Sequence, residues 1–419
     1  MSGHSVTSRF RVLLVRVCVL ICLACVLLSS ASAGGRTKIL FRFKPSQGAH
    51  PWNAMVLDSA GNLYGTTQQG GIIPCGPQHG CGTVFELAPQ PDGTWIEQVL
   101  YRFRGGTDGD LPYSGVIFDG AGNLYGTTAG GGSSSYGIAY ELSPAVGEWT
   151  ETLLHNFPTG KGDGEYPGPI VFDKSGNLYG TTYVGVNPCG DGTVYELSPI
   201  QGGWTENPLH CFSNDSDGFG PSSAVIFDPA GNLYSTTYIG GPNGEGTVFE
   251  LSQSGGMWTE TILYSFGTDG PGIYPYSSLA RDQAGNLYGL IYGGVFELTP
   301  SEGGWTYSAI YVSPGGAHGI APNSLIIDEA GNLYGTGEGG TSSNCNGVGC
   351  GVVFKLTHRK KGWQMTVLHN FPGGAGGASP LGGLVMDQEG NLYGTTYDGG
   401  KRGCGGGCGV VFEIERIPH

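Results

Sequence analysis

The sequence predicts an all-β fold, a seven-bladed β-propeller with four antiparallel strands in each blade. The pattern D-x-x-G-N-L-Y recurs at spacings of 46 to 61 residues, which is typical of a repeat architecture. Glycine accounts for 80 of the 419 residues, as expected of many turns between short strands. The chain begins with one strand that belongs to no complete unit, and it ends on a strand C that no strand D follows. The seven copies start at Asp58, Asp119, Asp173, Asp228, Asp282, Asp328 and Asp387.

The second repeat illustrates the four strands of one unit. It predicts strand A at 115–119, strand B at 123–128, strand C at 137–142 and strand D at 149–157. The D-x-x-G between strands A and B suits a type I turn, and a short SPAVGE turn joins strands C and D. Consecutive apolar residues in strands A to C indicate sheets that are covered on both faces. Radial repetition of such sheets gives a propeller; a solenoid is the alternative, but it would need polar caps at its ends.

The two chain ends predict how the ring closes. Residues 37–43 (TKILFRF) have the ending of a strand D, and residues 409–414 (GVVFEI) form a strand C with no strand D after it. We therefore expect the N-terminal strand to complete the last blade. Other D strands begin with a tryptophan that this strand lacks: Trp95, Trp149, Trp204, Trp258, Trp305 and Trp363. The predicted blades of the single domain 34–419 are 53–103, 113–157, 167–212, 222–266, 276–313, 322–371, and 380–414 with 37–43.

Residues 1–33 are predicted to be a signal peptide. A basic start precedes the apolar run 17–28, and Ala31-Ser32-Ala33 forms an A-x-A cleavage site. Twelve apolar residues are too few for a retained membrane anchor, which needs about 20. A lipoprotein reading through Cys25 is weaker, because Cys22 replaces the leucine of a lipobox. We expect a protein of the periplasm or the extracellular space, secreted or in the cell envelope, without a membrane span after cleavage.

The charge narrows the class of partner. The net charge is −15, and an acidic surface repels phosphate backbones and anionic lipid headgroups. We therefore expect no nucleic-acid partner. The remaining classes are an extracellular protein, a peptide or a glycan.

Eight of the eleven cysteines lie outside the predicted signal peptide. An even number in an exported protein favours disulfides. Three pairs are close in sequence, each within one B–C loop, and the fourth follows if Leu197 faces Trp204 across the C–D hairpin. The predicted pairs are Cys75–Cys81, Cys189–Cys211, Cys345–Cys350 and Cys404–Cys408. Zinc binding is a weaker alternative, because no C-x-x-C pair exists.

The motifs D-x-x-GNLYGTT, GG, G-T-V-F-E-L and L-x-x-F together resemble the GloVer tandem repeat of bacterial "choice-of-anchor" proteins. More distantly, the A–B hairpin is similar to NHL-repeat propellers. The resemblance covers residues 37–414 and implies a propeller, but it implies no particular activity. Such proteins often carry a C-terminal surface anchor; this chain stops at His419, and we expect free secretion. Two units depart from the pattern: the fifth has almost no B–C loop, and the sixth has Lys355 where the others have glutamate.

No catalytic residue, metal site or cofactor is predicted. His155, His210 and His369 share a strand D position with tyrosines of other units, which favours packing over a metal or base role. The carboxylates of strand C recur in nearly every unit, which favours a structural role; they are Glu86, Glu141, Glu196, Glu250, Glu297 and Glu413. The segments that precede the A strands, where related propellers place catalytic groups, are small, neutral and glycine-rich.

A candidate binding site lies in the D–A loops. Loops of the A–B and C–D type are short, whereas the B–C and D–A loops are long, and alternation of strand direction places the long ones on one face. The D–A loops repeat an Asp-Gly step followed by an aromatic residue. An arc of rings and carboxylates suits a sugar or a peptide, whereas the structural interpretation is that Asp-Gly makes the turn and the ring fills its base. The candidates are Trp52, Asp108, Tyr113, Asp163, Tyr166, Asp217, Phe219, Asp269 and Tyr276.

Three functions are compatible with these observations. The first is a secreted, non-catalytic propeller that binds a partner through its long-loop face. The second is an enzyme of the lactonase or lyase type acting at the channel mouth. The third is a structural component of the envelope.

Overall fold

The computed structural model describes residues 36–71, 75, 80–158, 160, 162–213, 216–267, 272–313, 320–341, 344–347 and 349–416. The predicted signal peptide and Asp269 lie outside these residues. Within them the chain forms seven antiparallel sheets, each with the order A-B-C-D, arranged in a ring. The prediction of an all-β, seven-bladed propeller is confirmed.

The strands follow the repeat closely. The A strands are Val56–Leu57, Ile117–Phe118, Val171–Phe172, Ile226–Phe227, Ala280–Arg281, Ile326–Ile327 and Val385–Met386. The B strands are Leu63–Thr67, Leu124–Thr128, Leu178–Gly185, Leu233–Thr237, Leu287–Ile291, Leu333–Gly339 and Leu392–Thr396. The C strands are Thr83–Pro89, Ile138–Ala145, Thr193–Ile200, Thr247–Ser254, Gly294–Ser301, Val352–Arg359 and Val410–Ile414. The D strands are Trp95–Arg102, Glu148–Asn156, Gly203–Cys211, Met257–Ser265, Gly304–Val312, Gly362–Asn370 and Thr37–Arg42.

Two further strands extend blades 3 and 6. Gly164–Pro167 and Ile320–Pro322 belong to D–A loops and pair with the far ends of the B strands of their sheets. Short 3₁₀ helices occupy Gly106–Asp108, Cys345–Gly347 and Gly374–Gly376.

Three boundaries differ from the prediction. Each A strand has two paired residues instead of about five, because only those two reach the B strand ladder. Strand C of blade 2 continues through the predicted SPAVGE turn, since Ala145 pairs with Glu148 and leaves a two-residue hairpin. The C–D register also differs, because the two strands of blade 3 continue to a two-residue hairpin, where Ile200 pairs with Gly203. Trp204 therefore pairs with Pro199 and not with Leu197.

The N-terminal strand completes the last blade, as predicted. Thr37 pairs with Ile414, and Arg42 pairs with Val410. Phe43, just beyond this strand, is fully buried and its ring centroid lies 5.0 Å from that of Phe85 in blade 1. The first and last segments of the propeller are therefore held together by both a strand ladder and an inter-blade contact.

Aromatic rings at the end of strand D connect six of the seven blades to the next, and blade 5 has Ser313 at this position instead. The phenylalanine of L-x-x-F packs on the aromatic residue of strand C in the following blade, with centroid distances of 5.0–5.3 Å. Gly126 of strand B shows what this requires, because an added Cβ would lie 2.5 Å from the Tyr140 hydroxyl oxygen. The six pairs are Phe43–Phe85, Phe103–Tyr140, Phe157–Tyr195, Phe212–Phe249, Phe266–Phe296 and Phe371–Phe412.

The repeated carboxylates have structural roles. In blade 1, Asp58 Oδ1 accepts the backbone N–H of Asn62 at 2.8 Å, and its Oδ2 accepts the Asn62 side-chain amide at 2.8 Å. The Tyr64 hydroxyl donates to Glu86 Oε1 at 2.9 Å. These bonds explain why Asp, Asn, Tyr and Glu recur together. In blade 6, Lys355 Nζ instead lies 5.0 Å from the centroid of the tyrosine ring of its own unit.

All four predicted disulfides are present, with Cα–Cα distances of 4.5 to 5.4 Å. The register that led to Cys189–Cys211 was wrong, since Trp204 faces Pro199 and Cys211 faces Thr193. The pairing holds because Thr193 starts strand C a few residues after Cys189. Disulfides are characteristic of proteins outside the cytoplasm. Among the described residues, no helix has the length and hydrophobicity needed to cross a bilayer.

Candidate functional site

A proline at a repeated position fixes the D–A loops. The residue before it has a left-handed backbone, as at Leu111 (φ 51°) and Tyr166 (φ 57°). Each proline packs on the glycine that precedes strand C of the previous blade, where a Cβ would come closer than 3.0 Å to the ring. The loop therefore holds the residues that flank the proline in fixed positions. The prolines are Pro51, Pro112, Pro167, Pro221, Pro275 and Pro380, and the glycines, in the same order, are Gly409, Gly82, Gly137, Gly192, Gly246 and Gly351.

Residues of all seven blades line one cavity of about 490 Å³. Since each blade contributes the segment before its strand A, this cavity is the mouth of the central channel on the D–A loop face. Its walls consist of aromatic rings, hydroxyl and amide groups, and small apolar residues. Among the described residues that line it, none is Asp, Glu, Lys, Arg or His.

Four of the five predicted aromatic residues line this cavity: Trp52, Tyr113, Tyr166 and Tyr276. Trp52, Tyr113 and Tyr166 are 38–43% exposed, so each presents part of its ring to the cavity. The Trp52 and Tyr113 rings make an edge contact at 5.8 Å. Phe219, the fifth, does not line the cavity but packs beside it.

A second set of tyrosines, one lining the cavity and others on the same face, was missed by the sequence analysis. Tyr183, near the end of strand B of blade 3, lines the cavity and lies 5.7 Å from Phe219. Tyr397, in blade 7, contacts Trp52 at 5.5 Å. Tyr238, in blade 4, stacks on Tyr274 at 5.3 Å. The sequence signal that could have found them is the tyrosine of G-T-T-Y or S-T-T-Y. Strand B runs toward the long-loop face, so a tyrosine at its end lies on that face.

The predicted carboxylates do not join the aromatic residues, which corrects the expectation of a mixed arc. Asp108 accepts the Tyr101 hydroxyl and the Arg104 backbone N–H. Asp163 Oδ2 lies 3.2 Å from His155 Nε2. These side chains fold back onto strand D of their own blade, and neither lines the cavity.

The third carboxylate behaves in the same way. Asp217 Oδ2 lies 3.4 Å from His210 Nε2, and it does not line the cavity either. Burial lowers the pKa of His210, and it also lowers the pKa of His369. The shared strand D position was predicted to be a packing position, and the structure shows that His155 and His210 also face a loop carboxylate there.

The polar groups of the channel mouth bond to neighbouring blades or strands. Ser114 Oγ donates to the Thr127 carbonyl at 3.0 Å. Asn53 Nδ2 donates to the Tyr113 carbonyl of the next blade at 3.1 Å. Ser324 Oγ lies 2.9 Å from Thr336 Oγ1. These bonds pre-organise the wall, and no serine–histidine pair occurs among the described residues that line it.

Comparisons with known proteins agree with the fold. A family model described as the Gloeobacter/Verrucomicrobia repeat matches residues 26–205, 114–294 and 291–417. A search of curated proteins found no match.

Two solved structures from bacteria show the same architecture at low sequence identity. One is described as the extracellular domain of a hybrid two-component system of B. thetaiotaomicron, with 13% identity, a TM-score of 0.53, and 91% of this chain and 41% of that one covered. The other is PorZ, a surface component of the type-IX secretion system of Porphyromonas gingivalis, with 15% identity, a TM-score of 0.53, and 90% and 48% covered. The chain thus spans less than half the length of either protein, and the likeness concerns the fold.

Proposed function

We propose, from the premise that this chain belongs to the Gloeobacter/Verrucomicrobia repeat family, that it is a secreted binding propeller that holds a neutral oligosaccharide at its channel mouth. The observation that carries this proposal is the composition of the cavity wall. Exposed rings stand beside hydroxyl and amide groups, and the described lining has no Asp, Glu, Lys, Arg or His.

Such a wall suits the chemistry of sugars. The flat C–H faces of a pyranose pack on aromatic rings, and its hydroxyl groups exchange hydrogen bonds with Ser, Asn and Tyr. A volume of about 490 Å³ falls in the range of about 300–1,000 Å³ that is usual for small-ligand pockets. A charged ligand would lose hydration without gaining an ionic partner, and the net charge of −15 further disfavours acidic glycans.

The same wall supports binding over acid–base catalysis. A lactonase or lyase mechanism needs a positioned acid, base or metal. The described residues that line the mouth offer tyrosine hydroxyls but no carboxylate or imidazole.

An array of neutral oligosaccharides and peptides, probed with the mature chain, tests the proposal. We expect capture of neutral oligosaccharides, and loss of capture by at least tenfold in Trp52→Ala and Tyr166→Ala at an unchanged melting temperature. Ile200→Ala is the control, because Ile200 is 56% exposed at the C–D hairpin on the opposite face. Capture of peptides alone, or equal capture by wild type and both mouth variants, would contradict the proposal.

A further inference from the structure

A polar cluster lies between blades 2 and 3, away from the channel mouth. It consists of His155 on strand D of blade 2, Asp163 in the following loop and Glu206 on strand D of blade 3. One ligand atom from each lies within 4.8 Å of the others, and His155 Nε2 is 3.2 Å from Asp163 Oδ2. The side chains of His155 and Asp163 are 9% and 3% exposed. None of the three residues lines the cavity at the mouth.

Two buried polar atoms, one in this cluster and one beside it, lack a hydrogen-bond partner among the described residues. Glu206 Oε1 and the Tyr195 hydroxyl have no hydrogen-bond partner among the described residues, and Tyr195 is fully buried. Tyr195 interacts electrostatically with both Glu206 and Asp163. Two carboxylates in such a place are costly unless a cation or a proton compensates them.

We propose that His155, Asp163 and Glu206 bind a divalent transition-metal ion, with Zn²⁺ as the reference ion, between blades 2 and 3. One imidazole and two carboxylates are suitable ligands for zinc, which leaves a fourth tetrahedral position for water or the Tyr195 hydroxyl. Calcium fits less well, since it prefers six to eight oxygen ligands. Because the ligands come from two blades, the ion would link those blades; this role is independent of ligand binding at the mouth.

The neighbouring interfaces provide natural comparisons. Between blades 1 and 2 the equivalent residues are Tyr101, Asp108 and Glu151, so the nitrogen ligand is absent and the Tyr101 hydroxyl already donates to Asp108. Between blades 3 and 4 they are His210, Asp217 and Glu260, with Phe249 in place of Tyr195. Among the described residues, only the group of His155, Asp163 and Glu206 has all three ligand atoms within 4.8 Å of one another. The interface between blades 1 and 2 therefore serves as a control. The interface between blades 3 and 4 has a similar but less complete set of ligands.

The test uses the mature chain, treated with a chelator and then dialysed against Zn²⁺ or Co²⁺ at pH 7.5. We expect at least one Zn²⁺ per chain at micromolar free metal, the visible absorption of tetrahedral Co²⁺, and a higher melting temperature with Zn²⁺. His155→Gln and Glu206→Gln should each remove one bound ion and the thermal shift. Glu151→Gln, at the matched position between blades 1 and 2, should remove neither.

Two results would overturn the proposal. One is a wild-type chain that binds no Zn²⁺ at micromolar concentration. This measurement needs no variant, and it would show that a proton, not a metal ion, compensates the carboxylates. The other is unchanged metal stoichiometry and Co²⁺ absorption in a folded His155→Gln or Glu206→Gln chain. If wild type binds two ions, the second is assigned to the interface of blades 3 and 4, and His155→Gln must still remove one of them.

Discussion

Closure of the ring by the N-terminal strand makes a quantitative prediction for Phe43→Ala. Phe43 is fully buried, and its centroid lies 5.2 Å from Phe41 and 5.0 Å from Phe85. Truncating a buried phenylalanine costs about 3–5 kcal/mol of the free energy of unfolding. A terminal segment that frays independently would cost almost nothing. The two possibilities are therefore separated by several kcal/mol.

Phe103→Ala is a closely matched control for this substitution. Phe103 occupies the equivalent place between blades 1 and 2, is 1% exposed, and lies 5.2 Å from Tyr101 and 5.1 Å from Tyr140. Its contacts are formed within a continuous stretch of chain, whereas those of Phe43 depend on ring closure. Equal costs for the two variants would show that the closing interface is as strong as an internal one.

Guanidinium denaturation of the mature chain, followed by circular dichroism, measures both costs. We expect the free energy of unfolding to fall by about 3–5 kcal/mol in each variant, with a single transition and an unchanged denaturant slope. Deleting 37–43 should destabilise the whole ring further, since it exposes the edge of the last strand C. An unchanged midpoint for Phe43→Ala, beside a lowered midpoint for Phe103→Ala, would refute the closure.

Three further predictions concern stability. Burial and Asp108 raise the pKa of Glu151 to about 7 despite Arg104, so this carboxyl is protonated in the folded state and ionised in the unfolded state between about pH 4.5 and 7. The free energy of unfolding therefore falls as the pH rises through that range, by about 1 kcal/mol after allowance for partial exposure. Glu151→Gln should reduce this difference between denaturation at pH 5 and at pH 8. An unaltered pH dependence in the variant would contradict the assignment. Gly137→Ala should cost about 2 kcal/mol more than Gly147→Ala, because both have positive φ but a Cβ at Gly137 would meet the Thr128 carbonyl oxygen and the Pro167 ring. Equal melting temperatures would count against this close packing. Alkylation without reduction should modify no cysteine of the mature chain, and peptide mapping should recover Cys189 linked to Cys211; a free thiol would disprove that pairing.

The repeat made much of the fold predictable from sequence. Seven copies of D-x-x-G-N-L-Y align the strands, and an unmatched strand at each end predicts the closure. The C–D register was less accessible, because it depends on the length of the hairpin. The strands of blade 3 continue to a two-residue turn between Ile200 and Gly203, so pairing Leu197 with Trp204 placed the ladder two residues out of register. A bulge between Val194 and Tyr195 then shifts the remaining pairs by one residue, and a bulge has no simple hydrophobic pattern.

Only part of the candidate site was predictable, because the sequence does not determine which way the loop side chains point. The rings could be placed at the mouth because strand direction determines which loops lie there. Whether Asp108 and Asp163 faced the mouth depended on bonds to residues seven or eight positions earlier, Tyr101 and His155. The alternation of side-chain direction along a strand does not extend into such loops. The tyrosines at or just after the end of strand B, such as Tyr183, were missed because they stand outside the D–A loops.

The most direct test of the central claim uses fluorine NMR of the mature chain labelled with 5-fluorotryptophan. The chain has seven tryptophans; Trp52 lines the mouth, and the others lie at the starts of D strands on the opposite face. Trp52→Phe assigns its resonance. On titration with neutral cello-, xylo-, malto- and chito-oligosaccharides, our account predicts that one series shifts the Trp52 resonance and leaves the other six unchanged. Oligosaccharide binding that shifts the other resonances but leaves that of Trp52 in place would contradict it.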